Sequence, residues 1–188
     1  MSPVNVAATS ANSTAGQSTC YSPKVERASI GLGGNVGDVA DRLRWAANEL
    51  ARLPGVAAVR LSSLWRGAPV GPISDQPWFV NSVVELTGAL LPPRELLAAL
   101  HEIEARAGRD RAEELQQGPR TLDLDLLLHG DTVLNEDGIT LPHPRVHLRA
   151  FALAPLVELH GPDLVIPGAG TAGELLAQAS AQRIVWIG

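Results

Sequence analysis

The stretch GPRTLDLDLLLHGD, residues 118–131, sets two aspartates into an apolar run. From Thr121 to Leu126 polar and apolar residues alternate strictly, the period of a β-strand whose two faces see different surroundings. Leu122, Leu124 and Leu126 are therefore expected in a core, with Thr121, Asp123 and Asp125 on the opposite face. Alternate residues of a strand lie roughly 6.5–7 Å apart. Two carboxylates at that distance repel by about 2.4 kcal/mol at an effective dielectric of about 20. Something cationic is expected beside them.

Arginines surround the pair in sequence. Arg120 precedes it on a Gly-Pro turn, Arg106, Arg109 and Arg111 fall just upstream, and His143, Arg145, His147 and Arg149 follow in one short segment. Alone, an Asp-x-Asp strand fits a solvated polar face as well as a metal site. Beside so many arginines it suits Mg²⁺ holding a polyphosphate, because that ion takes oxygen ligands from a few carboxylates and from the phosphates themselves. Zinc fits less well: there is no CxxC, and His143 and His147 sit in a proline-containing loop. Of the 15 basic residues all but Lys24 are arginine, whose planar fork matches phosphate oxygens, although GC-rich coding produces the same bias.

The chain has 188 residues, 45% of them hydrophobic, which suits one well-packed domain. A net charge of −5 argues against a nucleic-acid binder that works by bulk charge. The single cysteine, Cys20, cannot form an intrachain disulfide, which fits a reducing, cytoplasmic setting. No apolar run approaches the ~20 residues of a membrane span. Residues 1–26 are rich in Ser, Thr, Ala and Asn and are expected to form a disordered extension, leaving 27–188 as a single domain.

Along that domain RASIGLGGN reads as a strand and GDVADRLRWAANELARLPG as a helix, with Val39, Leu43, Ala46, Ala47 and Leu50 at helical spacing, Asp38 as its N-cap and Pro54-Gly55 as its end. VAAVRLSSLW and WFVNSVVELTG read as strands two and three. A second helix runs from about Arg94 to Ala107 and is expected to bury Leu96, Leu97, Leu100 and Ile103. The Asp-x-Asp strand follows. The order β-α-β-β-α-β predicts an α+β, ferredoxin-like core with a mostly antiparallel sheet flanked by helices. A C-terminal extension adds the loop LPHPRVHLRAF, a helix over ALAPLVEL, another near Gly173 to Ala179, and a last strand RIVWI.

GLGGNVGD resembles a nucleotide loop only superficially. Val36 stands where a Rossmann fingerprint needs its last glycine, and no lysine follows as a Walker loop requires. A tight strand-to-helix turn, pinned by Asn35, is the simpler reading. Asn81 fits a surface position on its strand, and Phe79 and Phe151, the only phenylalanines, read first as core.

Together the segments IGLGGNVGD, GAPVGPISDQPWFVNSVVEL, GPRTLDLDLLLHGD and LPHPRVHLRAFALAPLVEL resemble the 6-hydroxymethyl-7,8-dihydropterin pyrophosphokinase family of folate biosynthesis, over about residues 28–160. The resemblance implies transfer of the ATP pyrophosphoryl group to the pterin hydroxymethyl oxygen, with release of AMP. It implies two Mg²⁺ ions on Asp123 and Asp125, and phosphate or nucleotide contacts from Arg109, Arg111, Arg120, His143 and Arg149. Arg109 and Arg120 are expected to serve catalysis with the two aspartates. The pterin is implied between Phe79 and Phe151, its polar edge read by Asn81 and by the backbone around Ala68, Pro69 and Val70. The partners implied are these two small molecules, with no nucleic acid and no membrane, and the protein is expected to be a monomer.

One departure stands out. The family commonly places a basic and then an aromatic residue before Gly-Pro-Arg, where this chain has Gln116-Gln117, preceded by two glutamates. A homologue that binds pterin and nucleotide but transfers weakly is thus an alternative. An RNA-binding module on the same topology is a third reading, opposed by the acidic charge and the 4% aromatic content.

Overall fold

The computed structural model describes residues 26–69, 73, 75–109 and 118–188; the segment before residue 26, Val70, Arg111, Gln116 and Gln117 lie outside them. In chain order the elements are β1 (Glu26–Gly34), α1 (Val39–Leu50), β2 (Val56–Leu61), β3 (Trp65–Gly67), β4 (Phe79–Gly88), α2 (Pro93–Arg106), β5 (Asp123–His129), β6 (Leu134–Glu136), β7 (Ile139–Leu141), α3 (Ala150–His160), β8 (Val165–Ile166), β9 (Gly170–Thr171), α4 (Ala172–Gln178) and β10 (Ile184–Trp186). The main sheet runs β10-β3-β4-β1-β5, with β2 also on β4 and every pairing antiparallel. Counting β2 and β3 as one position, this is the order of a ferredoxin-like fold.

The two faces follow from the alternation. Ala28, Ile30 and Leu32 of β1 join Leu122, Leu124 and Leu126 under α1 and α2, all within one buried cluster. The other face is covered by α3 and α4, where Val83, Leu127 and Leu128 meet Leu153, Leu156 and Leu175. Asp38 caps α1 as its position predicts, its side chain accepting from the Asp41 N–H. α2 begins at Pro93, whose missing N–H costs nothing at a first helical turn.

Several details differ from the sequence expectation, among them the end of α1, which stops at Leu50, short of Pro54-Gly55. Strand β1 already includes Glu26, one residue inside the segment expected to lack structure. VAAVRLSSLW is two strands, because Ser62 turns inward: it is buried, its hydroxyl lies 2.8 Å from that of Ser82, and it accepts from the Val83 N–H. Leu97 is only half-buried: it packs against the core cluster and also borders a cavity. Leucine alternation ends at Leu126, where an irregularity in the β1–β5 register puts Leu128 opposite Ser29 and moves it to the other face.

Candidate active site

Sheet register assembles the site. Asp123 lies opposite Gly33 and Asp125 opposite Gly31, and across β1 the same Gly33 lies opposite Asn81 of β4. Asn81, Gly33 and Asp123 therefore form one row across three strands, on the face opposite α1 and α2. With no side chain at Gly33 the row becomes a trough; a Cβ there would stand 2.8 Å from Asn81 Oδ1. Gly34 answers to packing instead, as a Cβ would meet the Thr121 carbonyl oxygen at 2.6 Å.

The cationic partners of the aspartates are present. Arg109 and Arg120 donate to the two oxygens of Asp123 at 2.5 and 2.8 Å. Arg149 donates to Asp125 at 3.4 Å, and His143 Nε2 stands 3.9 Å from the same oxygen. Arg109 also donates to Glu104, a fully buried carboxylate that in addition accepts from the Leu124 N–H at 2.7 Å. Two of these arginines serve twice: the Arg120 guanidinium lies 5.7 Å from the Phe79 ring centre and that of Arg149 lies 5.4 Å from Phe151.

Turn chemistry fixes Arg120 and His143. Asn35 donates its backbone N–H to the Arg120 carbonyl at 3.0 Å and accepts the Arg120 N–H on its side-chain oxygen at 2.9 Å. Its amide also donates to Gln76 and to the Pro77 carbonyl, tying the β1–α1 turn to the segment before Phe79. His143 Nδ1 accepts from the Arg145 N–H at 3.2 Å, which leaves Nε2 to carry the proton toward Asp125. Burial pulls the His143 pKa below its ordinary 6.5, against the opposing pull of Asp125. Burial likewise lowers the Arg149 pKa, helped by Arg145.

A cavity of about 330 Å³ opens on this face. Its lining brings together Ala68, Phe79, Asn81, Arg120, Asp123, Asp125, Arg149 and Phe151 from the residues singled out in the sequence. Asn81 is 6% exposed and its amide nitrogen has no hydrogen-bond partner among the described residues, so a buried donor is left for a ligand to meet. Arg109 reaches Asp123 from outside this lining, and the half-buried Pro69 is not part of it. His143 lines a second cavity with Leu97 and His101, and Asp125 is a wall of both. Val70 and Arg111 fall outside the described residues. Gly31, Gly33, Leu127, Arg145 and Leu148 also line the first cavity without having been picked out as site residues. The strand pairing could have located the glycines, and Arg145 stood in the basic segment noted after the aspartates; no signal marked Leu127 or Leu148.

Comparison with known proteins gives the family and the fold. Residues 29–161 match the family model described as 7,8-dihydro-6-hydroxymethylpterin-pyrophosphokinase (HPPK). A 2-amino-4-hydroxy-6-hydroxymethyldihydropteridine pyrophosphokinase from Synechocystis is 44% identical over 152 residues, covering 81% of this chain and 75% of the relative. Its namesake from Pseudomonas aeruginosa is 41% identical over 153 residues, covering 81% and 91%. In fold, the chain is similar to a crystal structure of wild-type Plasmodium falciparum HPPK-DHPS with pterin and p-hydroxybenzoate, at a TM-score of 0.63 and 14% identity. That match covers 86% of this chain and spans 44% of the longer one. Taken with the matched length and the identities, the chain belongs to the 7,8-dihydro-6-hydroxymethylpterin-pyrophosphokinase family.

Proposed function

We propose that Asp123 and Asp125 hold two Mg²⁺ ions and through them the phosphates of ATP, while Phe79, Phe151 and Asn81 hold the pterin. The enzyme transfers a pyrophosphoryl group from ATP to 6-hydroxymethyl-7,8-dihydropterin in folate biosynthesis. The observation that carries the site reading is the position of Asp125, a wall shared by an aromatic cavity and a second cavity holding His143.

The donor set fits the ion. Two carboxylates on one face, 25% and 32% exposed, offer hard oxygens and leave the remaining coordination positions to phosphate and water. Among the described residues no group of three or more metal-binding side chains occurs, as expected where the substrate supplies most ligands. When bound, Mg²⁺ draws charge off the phosphate oxygens and the departing AMP.

The chain's own groups do the rest. A flat heteroaromatic ring needs stacking faces and a few fixed hydrogen bonds, which the two phenylalanines and the partnerless Asn81 amide supply. In transfer, a bond forms from the hydroxymethyl oxygen to the β-phosphorus. The bond from that phosphorus to the oxygen it shares with the α-phosphate breaks, AMP keeps that oxygen, and the hydroxyl proton is released. Arg109, Arg120 and Arg149 neutralise the aspartates in the ligand-free chain, and their guanidinium forks suit phosphate oxygens once ATP arrives. Positioning and fixed charge thus carry the catalysis.

The test is incubation with Mg-ATP and the reduced hydroxymethylpterin. AMP and the pterin diphosphate should form in equal amounts, and chelation of Mg²⁺ should stop both. Formation of ADP, or of AMP without pterin, would contradict this function.

A further inference from the structure

We propose that Arg145 binds the pyrophosphoryl group on the pterin side of Asp125 and keeps hold of it in the product, an inference that rests on the transfer reading above. Backbone contacts fix where Arg145 stands. Its N–H donates to His143 Nδ1 at 3.2 Å, and the next residue, Val146, is fully buried, with its N–H on the His143 carbonyl at 3.0 Å. The residue, largely exposed, lines the aromatic cavity together with Asp125, Arg149 and Phe151.

There it differs from its neighbours. Arg120 is paired with Asp123 and Arg149 with Asp125, whereas Arg145 has no acidic partner among the described residues. Three guanidiniums, Arg120, Arg145 and Arg149, thus line one cavity with two aspartates, an excess of positive charge that an entering anion relieves. Neutral pterin does not supply that anion. The side of Asp125 on which Arg145 lies says which phosphates do. His143, two residues earlier, lines the second cavity, while Arg145 lines the first.

When the new oxygen–phosphorus bond forms and the bond to AMP breaks, two phosphoryl groups remain with the pterin. They carry negative charge into the aromatic cavity, and a guanidinium offers paired donors to them.

Arg145→Gln and Arg145→Lys test this through binding alone. Calorimetry would compare hydroxymethylpterin with its diphosphate on the wild-type protein and on each variant. Arg145→Gln should weaken the diphosphate roughly 10- to 100-fold, as loss of a charge-assisted contact does. It should leave the uncharged pterin within about twofold, the usual range for an exposed substitution, and Arg145→Lys should fall between. Unchanged diphosphate affinity overturns the proposal. So does a parallel loss for both ligands, which marks a general change in the cavity, and thermal unfolding of each variant shows whether the fold itself moved. Turnover of the wild-type protein with Mg-ATP stands apart: its absence removes the transfer reading, whereas an active wild type with unaltered diphosphate binding in Arg145→Gln removes only the role of Arg145.

Discussion

Asn81 and Asp123 lie on the same face of the sheet, two strands apart, with only Gly33 between them. Neighbouring strands are about 4.8 Å apart, so the two residues stand roughly 10 Å from each other. A ligand whose polar edge meets the Asn81 amide has room to extend over Gly33 toward Asp123. Recognition and chemistry are thereby set at two ends of one trough.

Gly33→Ala puts a methyl group into that trough, 2.8 Å from Asn81 Oδ1. Asn81 must turn or shift, so pterin affinity should fall about tenfold or more, equivalent to one misplaced buried hydrogen bond. Affinity for a nucleotide analogue should change little. Calorimetry on both ligands checks this, and unchanged pterin binding would mean that the trough is not its seat.

Phe151→Ala removes a half-buried ring from the cavity wall. Pterin binding should weaken by roughly 1–3 kcal/mol, the range for aromatic stacking on a base. Equal losses for pterin and nucleotide would instead identify Phe151 as a packing residue.

Asn35→Ala breaks the side-chain half of the reciprocal link to Arg120 and removes the bonds to Gln76 Oε1 and the Pro77 carbonyl. Stability should drop by about 1–3 kcal/mol for the partners left unpaired. Turnover should fall as well, since Arg120 meets Asp123 from that turn. Urea unfolding with normal stability and a steady-state assay with normal turnover would together contradict this.

The sheet also carries a polar cluster far from the aspartates. His160 Nδ1 lies 3.1 Å from Glu85, Ser29 Oγ lies 3.4 Å from His160 Nε2, and Arg60 donates to Glu85 at 3.2 Å. Burial lowers the His160 pKa from its ordinary 6.5, with Glu85 pulling it the other way. His143 is lowered in the same sense. A histidine depressed in the folded state takes up its proton more readily once unfolded. Stability is therefore full above about pH 6.5 and declines as pH falls through that value toward the folded-state pKa. Urea midpoints across pH 5–8 should show the decline, and His160→Gln should flatten it. A midpoint that rises on acidification would have the wrong sign.

Much of this was legible in the sequence, and the limits have physical causes. Asp123 and Asp125 stand out because strict alternation with buried leucines leaves them one face, and Asp38 because a cap needs only local bonding. The shift that sends Leu128 to the other face depends on β1, nearly a hundred residues earlier, so local periodicity cannot contain it. The break between β2 and β3 rests on the Ser62–Ser82 contact, and the buried pairing of Glu85 with His160 likewise joins distant segments. Arg145 was visible as one of the basic residues that follow the aspartates, but only the cavity lining shows that it shares a wall with Arg149 and Phe151.

The central claim is that Asp123 and Asp125 together hold the metal–nucleotide complex. The most direct measurement is single-turnover formation of AMP and pterin diphosphate by Asp123→Asn and Asp125→Asn at saturating Mg²⁺, with pterin affinity measured in parallel. Each variant keeps the side-chain shape but loses the charge, so turnover should fall by about 100-fold or more, with pterin affinity within about twofold of wild type. Near-wild-type turnover in either variant would contradict the assignment.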